Sequence, residues 1–237
     1  MQQILSYPSN ITTAIKRCNF YFGGLLFLLL ISTTFLLFTG KAGSFLSLNS
    51  YHPFQWNVFF INYTFLGDGI FAICLIALCF YLKQTKAAKA LLVSFLLSGL
   101  VVQLIKNFVS APRPKIFFEK GQYLFFIDGI SHGGHSSFPS GHTATAFAIA
   151  TILVLIIKNK NLQLPVLAAA TLVGYSRIYL AQHFLLDVII GSLVGCLSGI
   201  VSLYLLMNAY WFNKFFQKFL VKKAGKTEQP APSIQTA

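Results

Sequence analysis

The run PSGHTATAFAIATILVLII, residues 139–157, sets four motif positions at the head of an apolar stretch that contains no Asp, Glu, Lys or Arg. A bilayer span takes roughly 20 residues, so a helix here is long enough only if it takes in its polar head. Pro139 stops any preceding helix, and Ser140 is a good N-cap. Gly141 lets an anion come close to the backbone. Free first-turn N–H groups, aligned with the helix dipole, form a ready phosphate site, and His142 projects from that turn. A plain helix cap carrying a surface histidine accounts for the same residues without a ligand.

Working outward, the chain has 237 residues, 56% of them apolar and only 10% charged, against about 25% charged in soluble domains. Six apolar runs approach or reach spanning length, at about Phe20–Thr39, Phe65–Leu82, Ala88–Val109, Ser140–Ile157, Leu164–Leu180 and Leu185–Asn208. These predict an all-α, polytopic membrane protein with six transmembrane helices. Lys16 and Arg17 precede the first run, but it exceeds the ~7–15 residues of a signal h-region and no clean cleavage site follows, so it reads as a retained helix. Residues 1–221 form the membrane domain, and 222–237, polar with Pro230 and Pro232, a disordered cytoplasmic tail. The stretch from about residue 40 to Asn62, with Phe54, Trp56, Phe59 and Phe60, reads as an outer loop lying along the headgroups. Tyr210 and Trp211 sit where an inner aromatic belt would be. The longest outer loop, Ser110 to Pro139, contains Gly129, Gly133 and Gly134.

A net charge of +13 suggests nucleic acid until its distribution is read. With the N-terminus inside, the inner segments hold 12 of the 18 Lys and Arg residues and the outer ones 6, three of those being Lys106, Arg113 and Arg177. The positive-inside rule then places both termini in the cytoplasm and removes the case for a nucleic-acid partner. All five histidines and four of the five acids fall outside, so the chemistry belongs to the outer face of the membrane. Cys74, Cys79 and Cys196 lie in apolar runs and Cys18 at the inner edge, which leaves no disulfide framework or metal spacing.

Two further clusters flank apolar runs: Lys106 with Arg113-Pro114, and Ser176-Arg177 with His183 and Asp187. A cation at the centre of a membrane helix costs roughly 2.5–3.5 kcal/mol. Near the interface it can snorkel, so any one of the three reads equally as an anchor. His183 and Asp187 share a helix face. The carboxylate can hold one ring nitrogen and leave the other as a nucleophile, or the pair can simply cap the sixth helix. Solvated loop residues suit His132 and His135 better than a metal site, for which no third ligand is spaced. Asp68, in Gly67-Asp68-Gly69, either caps the second span or pairs with a site cation.

Lys106-x6-Arg113-Pro114, Pro139-Ser140-Gly141-His142 and Ser176-Arg177-x5-His183-x3-Asp187 together closely resemble the three-part signature of the type-2 phosphatidic acid phosphatase superfamily, and the six-span layout is similar to its bacterial lipid phosphatases. The resemblance implies hydrolysis through a phosphohistidine. His183 would be the nucleophile and Asp187 its orienting partner. Lys106, Arg113, Arg177, Ser140 and the Gly141 backbone would bind phosphate, and His142 would be the general acid. Phosphoryl transfer asks for positioning and charge stabilisation, which three fixed cations supply without a metal or other cofactor. The expected substrate is a lipid phosphate or pyrophosphate whose tails stay in the bilayer. Within the family that means undecaprenyl pyrophosphate, phosphatidylglycerol phosphate, phosphatidic acid or a lipid A phosphate. A phosphotransferase shares the first half-reaction, and a non-catalytic anionic-lipid carrier shares the cations. A haloperoxidase fits least, because that chemistry needs vanadate and its enzymes are soluble. The orientation is checked by labelling single cysteines from either side of the membrane, with position 135 expected to react from outside and position 86 from inside.

Overall fold

The computed structural model describes residues 7–224 except 9, 119–121, 124, 131, 132 and 158, with side chains to residue 209. His132, the side chains of Tyr210 and Trp211, and the tail from residue 225 therefore lie outside the described residues. The chain runs through α1 (Ile11–Arg17), α2 (Asn19–Leu48), α3 (Phe54–Tyr63), a 3-10 turn (Thr64–Gly67), α4 (Gly69–Tyr81), α5 (Thr85–Phe108), α6 (Pro114–Phe117), α7 (Gly141–Ile156), a second 3-10 turn (Lys160–Leu162), α8 (Gln163–Tyr179) and α9 (Leu185–Ala224). Among the described residues the one β feature is an isolated bridge between Ala111 and Ser136.

The all-α, multi-pass character holds, and each of the six expected runs is helical. Their number as spans is another matter. By length and composition α2, α5 and α9 can cross a membrane, and α3 with α4, bent by 55° between them, makes up to four. α7 and α8 have 16 and 17 residues, which at 1.5 Å per residue is about 25 Å, short of a ~30 Å hydrocarbon layer. The outer stretch read as a loop is largely helix. α2 continues past a break at Gly40, whose φ is 70°, and α3 follows at Phe54. The aromatic spacing that suggested an interfacial segment suits a short helix equally well. α9 runs on to Ala224, into the stretch read as tail.

α7 lies at the centre. It is buried from Thr143 to Ile156 apart from Leu153, as expected of a helix apolar on every side. α4, α5, α8 and α9 surround it, and α2 packs outside α8 and α9 with Leu26, Phe27, Leu30 and Phe38 exposed. At the start of α8 Gln163 Oε1 accepts from the Phe20 and Tyr21 N–H groups at 3.1 and 3.2 Å. There too the Arg17 guanidinium donates to Leu155 O at 2.7 Å.

The closest packing joins α7 to α9. Lipid tails are as apolar as side chains, so helices in a membrane associate through close van der Waals contact between small residues. α9 presents Gly191, Gly195 and Gly199 at four-residue intervals. A Cβ on Gly191 would lie 2.7 Å from Ser140 O, one on Gly195 would run into Ala144 O, and one on Gly199 would lie 2.8 Å from Thr151 Cβ. Gly195→Val should therefore push the helices apart and cost roughly 1–3 kcal/mol, seen as a lower melting temperature in detergent. Gly99→Ala, where an added Cβ meets nothing within 4 Å, should leave it unchanged.

Candidate functional site

At the head of α7 the Ser140 hydroxyl caps the helix as expected, accepting from Thr143 N–H at 3.4 Å and from the Thr143 hydroxyl at 2.8 Å. The N1 and N2 amides of Gly141 and His142 have no intrahelical acceptor. A Cβ at Gly141 would meet only Val102, at an ordinary 3.8 Å, so packing does not demand glycine there. Ser140 N–H donates to Asp187 O at 3.0 Å, which ties this turn to the start of α9.

Asp187 sits in the first turn of α9. Its Oδ2 accepts from Phe184 N–H at 2.9 Å, the reach-back half of a capping box, and from the Ser137 hydroxyl at 2.6 Å. The same oxygen lies 3.4 Å from His183 Nδ1. That is long for a hydrogen bond, yet Nδ1 is buried and has no other partner among the described residues. Asp187 thus does both things the sequence allowed: it caps the helix and it faces the histidine. His183 occupies the turn between α8 and α9, with its N–H donating to Arg177 O at 3.2 Å. Burial drives its pKa down to about 4, helped by Arg177 and Arg113 and opposed by Asp187. The imidazole is therefore neutral at pH 7 and keeps a lone pair.

The three cations converge here from separate elements. Arg177 ends α8, only 5% exposed, and its Nη1 donates to Thr64 Oγ1 at 2.5 Å. Arg113 is pinned by its backbone, donating to Gly134 O at 2.9 Å, while Ala111 N–H reaches His135 O and Ser137 N–H returns to Ala111 O. Lys106, in the last turn of α5, is within electrostatic range of Arg113, Arg177 and Asp187. Among the described residues the buried Nε–H groups of Arg113 and Arg177 have no acceptor. Such orphans are rare in native proteins, and a tetrahedral oxyanion is the natural partner for guanidinium donors. The structure thus brings together all eight residues singled out in the sequence.

Asp68 takes the capping role of its two alternatives and faces a histidine, where pairing with a site cation was the other expectation. Oδ1 caps α4, accepting from Ile70 N–H at 2.8 Å, while Oδ2 lies 3.4 Å from His142 Nε2. The exposed His135 adds only its backbone, and among the described residues no three His, Cys, Asp or Glu side chains gather in metal-binding fashion. Sequence reasoning missed Ser137 and Thr64. Ser137 stands three positions before Ser140 and offered a weak signal by proximity; Thr64, remote in sequence and without charge, offered none. It also missed Asn49, whose amide donates to Ile178 O and to Tyr179 O at 3.1 Å and so caps the end of α8 just beyond Arg177.

The profile of the PAP2 superfamily matches residues 87–211, which include every one of those eight residues. The chain belongs to the PAP2 superfamily. It is 31% identical over 175 residues to a lipid A 4'-phosphatase of Porphyromonas gingivalis, covering 70% of this chain and 74% of that one. Among solved structures it is similar to LpxE of Aquifex aeolicus, at 35% identity and a TM-score of 0.61 over 69% of this chain and 94% of that one. It shares a fold, at 23% identity and a TM-score of 0.57 over 80% of this chain and 95% of the other, with a transmembrane PAP2-type phosphatidylglycerolphosphate phosphatase of Bacillus subtilis. The resemblance drawn from three motifs is thereby shown, and this PAP2 protein is an integral multi-pass membrane protein. In this PAP2 site, loss of the 2.6 Å hydroxyl contact should free the Asp187 carboxylate. Ser137→Ala is expected to lower phosphate release about tenfold, the equivalent of one hydrogen bond to a charged group, with KM little changed.

Proposed function

We propose that this PAP2-family lipid phosphatase removes a phosphate from a lipid phosphate or pyrophosphate through a phosphohistidine. The observation that carries this is the pair of buried guanidinium Nε–H groups, without an acceptor among the described residues, beside a neutral histidine that faces a carboxylate. Asp187 orients His183 through Nδ1, and the His183 Nε2 lone pair attacks phosphorus. The bond from phosphorus to the lipid oxygen breaks, and its electron pair stays on that oxygen, which takes a proton from His142. Lys106, Arg113, Arg177, the Ser140 hydroxyl and the Gly141 amide bind the equatorial oxygens, where charge accumulates in the transition state. Asp68 pairs with His142 when that ring is protonated. Water, giving its proton to His142, then cleaves the N–P bond and releases inorganic phosphate.

The six helical runs are read here as six spans, with both termini cytoplasmic and the site on the periplasmic or extracellular side. The charge distribution supports that orientation. α7 and α8 are short because their outer ends stop at a site sunk below the headgroups. The similarity to a lipid A 4'-phosphatase across 70% of the chain favours a lipid A-type phosphate among the candidate substrates.

The test is phosphate release by wild-type and His183→Ala protein from a panel of lipid phosphates and pyrophosphates, with and without EDTA and vanadate. Release by the wild type alone, at least about 1,000-fold faster than by the variant, insensitive to EDTA and inhibited by vanadate, is the expected result. Phosphate appearing on a second lipid instead of in solution would make the protein a phosphotransferase. Binding without turnover would make it a carrier.

A further inference from the structure

Arg177 and His183 are joined by a turn that hangs from the end of α8. The Gln182 and His183 N–H groups both donate to Arg177 O, at 3.0 and 3.2 Å, and Ala181 N–H donates to Ile178 O at 2.9 Å. The bonds from Gln182 and Ala181 are those of a Schellman motif, which puts a left-handed residue at position 181. Ala181 has a φ of 52°. Glycine takes that conformation freely, whereas an L side chain brings its Cβ against the following carbonyl. The turn that presents His183 is therefore strained, and Leu180 and Ala181 within it are fully buried.

Such strain persists only where the surroundings over-determine it. Asn49, 1% exposed at the end of α2, is placed to do that. Its Nδ2 donates to Ile178 O and, at 3.1 Å, to Tyr179 O, which supplies the partner that carbonyls in the last turn of a helix lack. Its Oδ1 accepts from the Tyr123 hydroxyl and faces His52 Nε2. Two carbonyls on one side and a hydroxyl on the other leave the amide a single orientation. Ile178 O receives both Asn49 and the Ala181 N–H, so the cap and the strained turn share an acceptor.

We propose that Asn49 is a positioning residue for the reaction, clamping the strained turn so that His183 stays facing Asp187 and Arg177 stays on the phosphate. This role rests on the reading of His183 as nucleophile and Arg177 as phosphate ligand. Asn49 touches no reacting atom and acts through the backbone of Ile178 and Tyr179. A neighbouring tie serves as control: the Tyr175 hydroxyl donates to Leu48 O at 3.0 Å, joining α8 to the end of α2 before the turn begins.

Phosphate release, melting temperature and backbone hydrogen exchange are compared in wild type, Asn49→Ala, Ala181→Gly, the double variant and Tyr175→Phe. Asn49→Ala should lose about tenfold in kcat with KM little changed, because Tyr179 O loses its donor. Ala181→Gly removes the strain that the clamp opposes, so in its background the same change should cost about threefold or less. Amides of residues 180–184 should exchange about tenfold faster in Asn49→Ala and return toward the wild-type rate in the double variant. Tyr175→Phe should lower the melting temperature and leave kcat unchanged. A fall in kcat that tracks melting temperature alike in Asn49→Ala and Tyr175→Phe would make Asn49 purely structural. A loss that Ala181→Gly leaves intact would put its action elsewhere, and either result overturns the proposal. Should Asn49→Ala fail to fold, Tyr123→Phe, which removes only the hydroxyl that orients the amide, is read by the same rescue. Release and exchange untouched by Asn49→Ala would sink the clamp and keep the chemistry. No release by the wild type would sink the nucleophile reading, while the exchange rates still decide whether Asn49 holds the turn.

Discussion

The site depends on the backbone contact between α7 and α9. With glycine at 191, 195 and 199, the carbonyls of Ser140 and Ala144 come where any side chain would collide. That approach lets Ser140 N–H reach Asp187 O and so joins the first turn of α7 to the carboxylate that faces His183. In lipid no hydrophobic effect drives two helices together, and tight packing of small residues has to do it. The stripe is therefore as much a part of the chemistry as the charged groups, though it touches no reacting atom.

Against that packing stands an electrostatic arrangement that works against folding. Among the described residues the buried Nε–H groups of Arg113 and Arg177 have no acceptor, and a third cation, Lys106, lies within electrostatic range. Desolvated charge of one sign is costly, and the surroundings offset only part of it through Thr64, Asp68 and Asp187. Sites where local chemistry disagrees with stability are where function is expected. Here a doubly charged tetrahedral anion would satisfy the orphaned donors and balance the field in one step. The same burial keeps the His183 imidazole neutral at pH 7.

Much of this was legible in the chain. Pro139, Ser140, Gly141 and His142 announced a helix start, because capping is set by four consecutive residues. His183 and Asp187 announced a shared face, because i and i+4 always do on a helix. The six apolar runs all became helices. The span count and the outer 40–62 segment were less readable. Hydropathy reports how apolar a run is, while the break at Gly40 and the bend between α3 and α4 depend on what the helices pack against. Asp68 showed a different limit: one carboxylate oxygen caps α4 as expected, while the other faces His142, a partner that no spacing along the chain suggested.

The sequence by itself determined which groups the protein carries, on which helix ends they stand and that they lie beside a membrane, since those follow from local periodicity, capping and charge. Only the tertiary structure decided which residues complete the site. Ser137 reaches Asp187 across 50 positions and Thr64 reaches Arg177 across 113. Neutral hydroxyls carry no pattern along a chain, and they acquire a partner only when packing in three dimensions brings one within about 3 Å.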